Sequence, residues 1–435
     1  MSGSAWTGAA VAAVTAGYAL FSRRLSTTVV SAPMVFTAFG VAIGPLGLGL
    51  LDLEHDAGPV LTLVEAALTL VLFTDAMSVR RRDLRVGGFL PERLLGIGLP
   101  LTIGAGWLLA WPLLPGLTVW ELALVGTILA PTDAALGKTA VSNPRVPALV
   151  RNGINVESGL NDGMALPFFV LFLAALPGTV TSQEGAGGAF WRALVLSTAL
   201  GLAVGGIGGW LLRRSRERDW VSRDWRQVFV LAVAVGSYTL AVVVDGSGFI
   251  AAWVAGFAFG VSYRQERGSR RRDTEVDAAA GDDDTAHLAE RLAELLASVS
   301  FLVFGAVLLG PTLEDVDWRI VVYAVLSLTA VRMLPVALSL TGSGLALPTV
   351  AYIGWFGPRG LASVVFGLLV VEEHVHGVQL IGRVVALTVA LSILLHGMSA
   401  VFLAERYGAW HKKAASRSPR LREGAPDEPD GRPAG

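Results

Sequence analysis

The sequence predicts an all-α polytopic membrane protein of about thirteen transmembrane helices, arranged as an inverted repeat with two broken helices. Three observations carry that reading. The 435-residue chain is 53% hydrophobic and only 16% charged. Mostly apolar runs of about 18 residues or more, the length that crosses a bilayer, recur along it. Basic residues collect in alternate loops, as the positive-inside rule requires. There is no cysteine, which excludes disulfide and thiol chemistry.

The spans are expected at about 5–22, 27–44, 58–78, 92–111, 118–137, 148–176, 190–212, 226–245, 247–263, 288–309, 318–340, 347–371 and 380–404. The first is too long for a cleavable leader and lacks a basic start. It ends at Arg23-Arg24, and the third ends before Arg80, Arg81, Arg82 and Arg85. Lys138, Arg145 and Arg151 follow the fifth, Arg213 to Arg226 the seventh, and Arg264 to Arg272 the ninth. Arg406, Lys412 and Lys413 follow the last. The other loops are nearly free of Lys and Arg: Asp52–Asp56, Thr179–Gly188, Pro311–Asp317 and Glu372–Gly377. Only 341–347 carries no charge to place it. The basic set is therefore expected in the cytoplasm, with the N-terminus outside and the C-terminus inside. The basic runs read as orientation signals, with no nucleic-acid partner implied by a net charge of −1. Residues 264–287 read as a polar linker and 411–435, rich in Pro, Arg and Gly, as a disordered cytoplasmic tail.

Two spans carry helix breakers. The fifth contains Ala130-Pro131-Thr132-Asp133, and the twelfth Gly354-Trp-Phe-Gly-Pro-Arg-Gly360. Proline removes a backbone donor and crowds the preceding turn, so both should unwind. The breaks lie seven spans apart, so spans 1–6 would recur inverted as 8–13, and such paired breaks point to a transport site. Thr132 and Asp133 are placed to cap the inner half of their own span, while the carbonyls ending at Ala130 and a carboxylate suit a small hard cation. Arg359 would offset exposed carbonyls at the second break.

Residues 157–163 read Glu-Ser-Gly-Leu-Asn-Asp-Gly inside an apolar run. A charge at bilayer depth costs ~2.5–3.5 kcal/mol even on the lenient insertion scale. Glu157 and Asn161, like Ser158 and Asp162, are one helical turn apart, so the four share a stripe. Asp75, near the inner end of span 3, either feeds ions into a cytoplasmic funnel or pairs with Arg81 or Arg82. Glu65 has no assigned role. Arg332 pairs with a core carboxylate, Asp133 being one candidate, or with carbonyls. His396 reads as a satisfied interhelical hydrogen bond, and His55, His374 and His376 as solvated loop residues. Gly201, Gly205 and Gly209 read as close helix packing, and Trp6, Trp111, Trp120, Trp191, Trp210 and Trp318 as interfacial belts. An intramembrane aspartyl protease using Asp133 and Asp162 is the alternative of another class, though no Gly-x-Gly-Asp flanks either residue. A channel without coupled exchange is a third.

In combination, Ala130–Asp133, Asn155–Gly163, Gly354–Gly360, Ser247–Gly256 and Leu394-Leu-His-Gly397 resemble the cation:proton antiporter superfamily, most of all its sodium/proton exchanger branch with an Asn-Asp pair. The resemblance covers roughly residues 5–405 and implies the sodium/proton antiporter fold, with two broken helices crossing in a core domain. The core would be about 92–176 and 318–404, the dimer side about 5–78 and 226–309, and 190–212 a linker helix, all within a transmembrane domain of 1–410. It implies a plasma-membrane secondary transporter, not an enzyme. This would exchange Na⁺, or K⁺ in the alternative, for H⁺ as a homodimer without a cofactor. Asp162 would carry cation and proton in turn, with Asp133, Thr132 and Ser158 completing the Na⁺ ligands. Glu157 and Arg359 would form a bracing ion pair. Asn161 stands where the electrogenic branch has a second aspartate, which implies electroneutral exchange.

Overall fold

The computed structural model describes residues 2–25, 28–49, 53–79, 89–133, 136, 143–176, 186–264, 285–373, 375–417 and 422–424. Among them every regular element is helical, as expected of a chain that must satisfy its backbone groups internally within lipid. The first nine helices are α1 Ser2–Leu25, α2 Ala32–Ile43, α3 Leu53–Ser78, α4 Phe89–Leu113, α5 Val119–Ile128, α6 Ala148–Ala174, α7 Ala186–Glu217, α8 Arg223–Val243 and α9 Gly248–Arg264. Five follow: α10 His287–Glu314, α11 Trp318–Ser339, α12 Leu347–Trp355, α13 Leu361–Glu372 and α14 Val378–Arg417. Eight of them are long and apolar enough to cross a membrane. The basic clusters at 80–85 and 265–272, Lys138, and His374 lie outside the described residues.

Local chemistry explains where the helices stop. α5 opens on a reciprocal capping box, Thr118 Oγ1 accepting from Glu121 N while Glu121 Oε2 accepts from Thr118 N. It ends at Ile128, shortly before Pro131, and residues 131–133 are not helical. The expected span 12 is likewise two helices, α12 and α13, separated by 356–360 around Pro358. α11 was expected to be continuous, but it is interrupted at Thr329. Pro335, one turn and a half later, has no N–H for the Val331 carbonyl, and Arg332 lies in the turn between them. α4 and α10 each contain one π-helical turn, Leu94–Gly98 and Gly305–Leu309.

Small residues set the packing on one side of the molecule. A Cβ on Gly201, Gly205 or Gly209 of α7 would fall within 3 Å of the backbone of α9, so these glycines permit close helix contact. α3 packs on α9 and α10, and α2 on α10. On the other side α4 packs on α5 and α11, and α14 on α11 and α13. α6 touches both sides, meeting α3, α7 and α9 as well as α4, α5 and α12. Its polar stripe is thereby shielded from lipid.

The tail departs from expectation. α14 runs on to Arg417, and Arg422–Gly424 form a 3₁₀ turn. Glu423 is buried, accepting from Ala346 N at 2.8 Å and Thr349 Oγ1 at 2.7 Å. Its carboxylate thus caps the start of α12, where free N–H groups attract negative charge. Arg422 donates to the Ser343 carbonyl and lies 4.1 Å over the Phe89 ring. A composition-based reading misses this because specific hydrogen bonds, from Ala346 N and Thr349 Oγ1 to Glu423 and from Arg422 to the Ser343 carbonyl, and not apolar area, hold the turn.

Candidate ion site at the crossing of two helix breaks

The two breaks meet. Asp133 N donates to the Pro358 carbonyl at 2.7 Å, and Arg359 Nη1 donates to the Ala130 carbonyl at 3.0 Å and the Pro131 carbonyl at 3.3 Å. Ser363 Oγ on α13 donates to the Ile128 carbonyl at 2.6 Å. The carbonyls left free at the end of α5 are therefore met by donors from the opposite break. The reverse exchange also occurs: Asp133 Oδ2 accepts from Leu361 N at 3.1 Å, capping α13. Asp133 was expected to cap its own helix; it caps the partner's, and the inner half of its own span lies outside the described residues.

Glycine makes the crossing sterically permissible. A Cβ on Gly360 would stand 1.9 Å from Asp133 Oδ2, and one on Gly357 2.3 Å from Arg332 Nε. Both glycines are spaces through which charged side chains pass.

The α6 stripe lies beside this crossing, and Glu157, Ser158, Asn161 and Asp162 are all buried. Asn161 Nδ2 donates to Thr132 Oγ1 at 2.5 Å, and Thr132 Oγ1 lies 3.2 Å from Ser158 Oγ. Thr132, Ser158 and Asn161 thus form one polar cluster joining the first break to α6. Asp162 is 8% exposed, and its Oδ1 has no hydrogen-bond partner, nor does Asn161 Oδ1. Asp133 and Asp75 interact electrostatically with Asp162. Asp75 packs its Cβ on Gly159, at 3.7 Å from where a Cβ would stand, so it borders the stripe from α3. Its alternative partners Arg81 and Arg82 lie outside the described residues. The Trp253 ring from α9 lies on Gly163, leaving no room for a Cβ there.

The expected Glu157–Arg359 pair is not formed. Glu157 is held instead by Arg332, with Nη1–Oε1 at 2.8 Å and Nη2–Oε2 at 2.9 Å. The interruption of α11 turns Arg332 inward and Gly357 clears its path. Arg359, buried itself, is engaged by carbonyls of both breaks and by Ser392 Oγ at its backbone N–H, 2.6 Å away. The Gly357 space is the signal that could have favoured Arg332. Ser363 and Ser392 gave no signal, being small hydroxyls in apolar runs. His396 was expected to bond between helices; its Nδ1 is instead 3.0 Å from the Ser392 carbonyl and 3.2 Å from its Oγ, one turn back on α14, and its Nε2 has no hydrogen-bond partner among the described residues.

Charge bookkeeping along α6 and at the first break leaves one acid distinguished. Glu157 is neutralised by Arg332, and Asp133 accepts from Leu361 N at the start of α13. Asp162 has no ion pair and no hydrogen bond among the described residues. An unneutralised buried carboxylate is costly unless it takes up a proton or a cation.

Known proteins share the family and the fold of this chain. Residues 10–406 match the family model described as sodium/hydrogen exchanger, transmembrane. A K(+)/H(+) antiporter NhaP2 of Shewanella sp. (strain MR-4) is 25% identical over 398 residues, covering 90% of this chain and 65% of that relative's length. A probable Na(+)/H(+) antiporter of Schizosaccharomyces pombe is 25% identical over 339 residues, covering 68% of this chain and 42% of its own. The chain therefore spans less than two thirds of these relatives. In fold it is similar to the sodium proton antiporter MjNhaP1 of Methanocaldococcus jannaschii, with a TM-score of 0.73, 18% identity, and coverage of 94% of this chain and 99% of the other. With a family match across nearly the whole membrane region and the antiporter fold around its buried acids, the chain belongs to the transmembrane sodium/hydrogen exchanger family.

Proposed function

We propose that this chain is a secondary antiporter that exchanges a monovalent cation, Na⁺ in the first reading, for H⁺ across the plasma membrane. The observation that carries it is Asp162, a buried carboxylate with no ion pair or hydrogen bond among the described residues, beside the Thr132–Ser158–Asn161 cluster. Proton and cation compete for this acid, so a single site holds one or the other and their fluxes are coupled. The free Asn161 Oδ1 and the Ser158 and Thr132 oxygens supply further hard ligands. Asp133 contributes its charge and, through Oδ2, fixes the break. Asp75 borders the route from the cytoplasm. Glu157, neutralised by Arg332, stays outside the exchange.

The remaining parts of the proposal rest on the charge pattern and the family likeness. The N-terminus lies outside and the C-terminus inside. The helices of about 92–176 and 318–404 move as a core against a dimer side of about 5–78 and 226–309, linked by 190–212, in a homodimer. K⁺/H⁺ exchange is a second reading, favoured by the names of the bacterial relatives.

Everted vesicles that overexpress the chain test the proposal. Added Na⁺ or K⁺ should dissipate an imposed proton gradient, and Asp162→Asn should abolish the response with the protein still present in the membrane. Exchange that survives this substitution removes Asp162 from the role, and a cation series assigns Na⁺ or K⁺.

A further inference from the structure

α12 and α14 enclose an open groove of about 600 Å³. Its floor is aromatic and continuous. Tyr352 lies 4.5 Å from Phe356 and 4.3 Å from Tyr407, ring centre to ring centre, and Tyr407 stacks on Trp410 at 5.6 Å. Leu403 completes one wall. Almost no polar surface faces this space. Arg406, at its rim, is the exception.

Arg406 is exposed and makes no ion pair or side-chain hydrogen bond among the described residues. On α14 it is followed by Trp410 and by exposed Lys413 at i+4 and i+7, one face of the helix. A chain of aromatic rings thus ends under two cations, with an indole between them. Indoles favour the level of lipid headgroups. On the orientation proposed above, this end of α14 lies at the cytoplasmic surface, where anionic headgroups attract basic side chains.

We infer that the groove is a binding site for an anionic phospholipid of the inner leaflet. Its phosphate lies between Arg406 and Lys413, and one acyl chain lies over the edge of the aromatic floor, against Ala351, Trp355 and Leu403. The groove wall is the first half of the second broken helix. Phe356 ends that half, three residues before Arg359 reaches the carbonyls of the first break. An occupied groove therefore supports the helix that holds the crossing together.

The test is lipid retention by the purified full chain, read by native mass spectrometry with phosphatidylglycerol or phosphatidylcholine added. Phosphatidylglycerol should be retained over phosphatidylcholine. Arg406→Gln with Lys413→Gln should weaken its retention by about thirty-fold, the effect of two such contacts. Leu403→Trp, which fills the groove and leaves both cations, should also expel it. Arg319→Gln, a half-buried cation at the far end of the core, should not. Equal retention of both lipids overturns the proposal, as does full retention by the double variant or by Leu403→Trp. Displacement by millimolar inorganic phosphate also overturns it, since it would leave only a headgroup site. Cation/proton exchange is scored separately in neutral liposomes: wild-type exchange without lipid selectivity loses the lipid site alone, and lipid selectivity without exchange loses the transport reading alone.

Discussion

Arg332 holds Glu157 through both carboxylate oxygens, with the two side chains 3% and 2% exposed. The pair ties α6 to the interrupted turn of α11, and the Arg332 guanidinium fills the space above Gly357. Removing either partner strands a charge away from water, which costs ~3–5 kcal/mol. Glu157→Ala and Arg332→Ala should each lower the unfolding temperature in detergent sharply. Arg332→Lys should recover only part of the loss, because an ammonium cannot make the two-pronged contact. Arg359→Lys leaves Glu157 satisfied, so Glu157→Gln combined with Arg359→Lys should show additive losses. A double-mutant cycle measures this directly: strong coupling of Glu157 to Arg332 and weak coupling to Arg359 is expected.

Neutralisation of Glu157, together with an amide at Asn161, leaves one exchangeable acid on α6. The carrier should then move one cation against one proton with no net charge. Exchange in proteoliposomes should keep its rate when a K⁺ diffusion potential is imposed across the membrane. Competition at one carboxylate adds a pH signature. As pH rises, fewer protons contest the site, so the apparent KM for the cation should fall while the maximal rate changes less. A rate that follows the imposed potential would overturn the one-for-one reading.

Gly360 and Gly104 separate steric need from mere composition. A Cβ at Gly360 meets the Asp133 carboxylate at 1.9 Å, whereas one at Gly104 meets nothing within 4 Å. Gly360→Ala must push Asp133 off Leu361 N at the start of α13 and should cost about 1–3 kcal/mol, the range for overpacking, with loss of exchange. Gly104→Ala should fold and transport as the parent does, with stability within about 1 kcal/mol. Thermal unfolding and vesicle transport on the same two variants check both.

What could be read before the structure follows a physical line. Acids inside an apolar run stand out because hydrocarbon penalises them, so Asp162 and its stripe were legible from spacing alone. Pro131 and Pro358 announced the breaks for a similar reason: a missing N–H is a local fact. Partner choice is not local. Arg332 and Arg359 both lie in apolar segments of the second half, and nothing in the order of residues sets the register between α6, α11 and α12. The cross-capping of α13 by Asp133 was hidden for the same reason. The interruption of α11 was closer to legible, since Pro335 sits within it. The folded turn at Arg422–Gly424 was not, because a polar tail reads as disorder until its hydrogen-bond partners are known.

Glu423 gives the last prediction. Its carboxylate accepts from Ala346 N and Thr349 Oγ1, and Thr349 Oγ1 also lies 3.0 Å from Tyr407 Oη. The turn therefore joins the start of α12 to α14, near the end of α12 that bears no helix break. Loss of a helix N-cap costs ~0.5–2 kcal/mol, and burial of this carboxylate places the effect toward the upper end. Glu423→Ala should lower the unfolding temperature modestly, and Glu423→Gln by less, since the amide oxygen still accepts from Ala346 N. A chain ending at Arg417 should match Glu423→Ala if the cap is what the tail contributes. If the shortened chain is as stable as the full one, the contact adds nothing to the fold. The cap leaves Asp162 and Thr132 untouched, so exchange per folded molecule should persist in all three variants, and transport normalised to folded protein is the measurement that separates a structural cap from a part of the carrier.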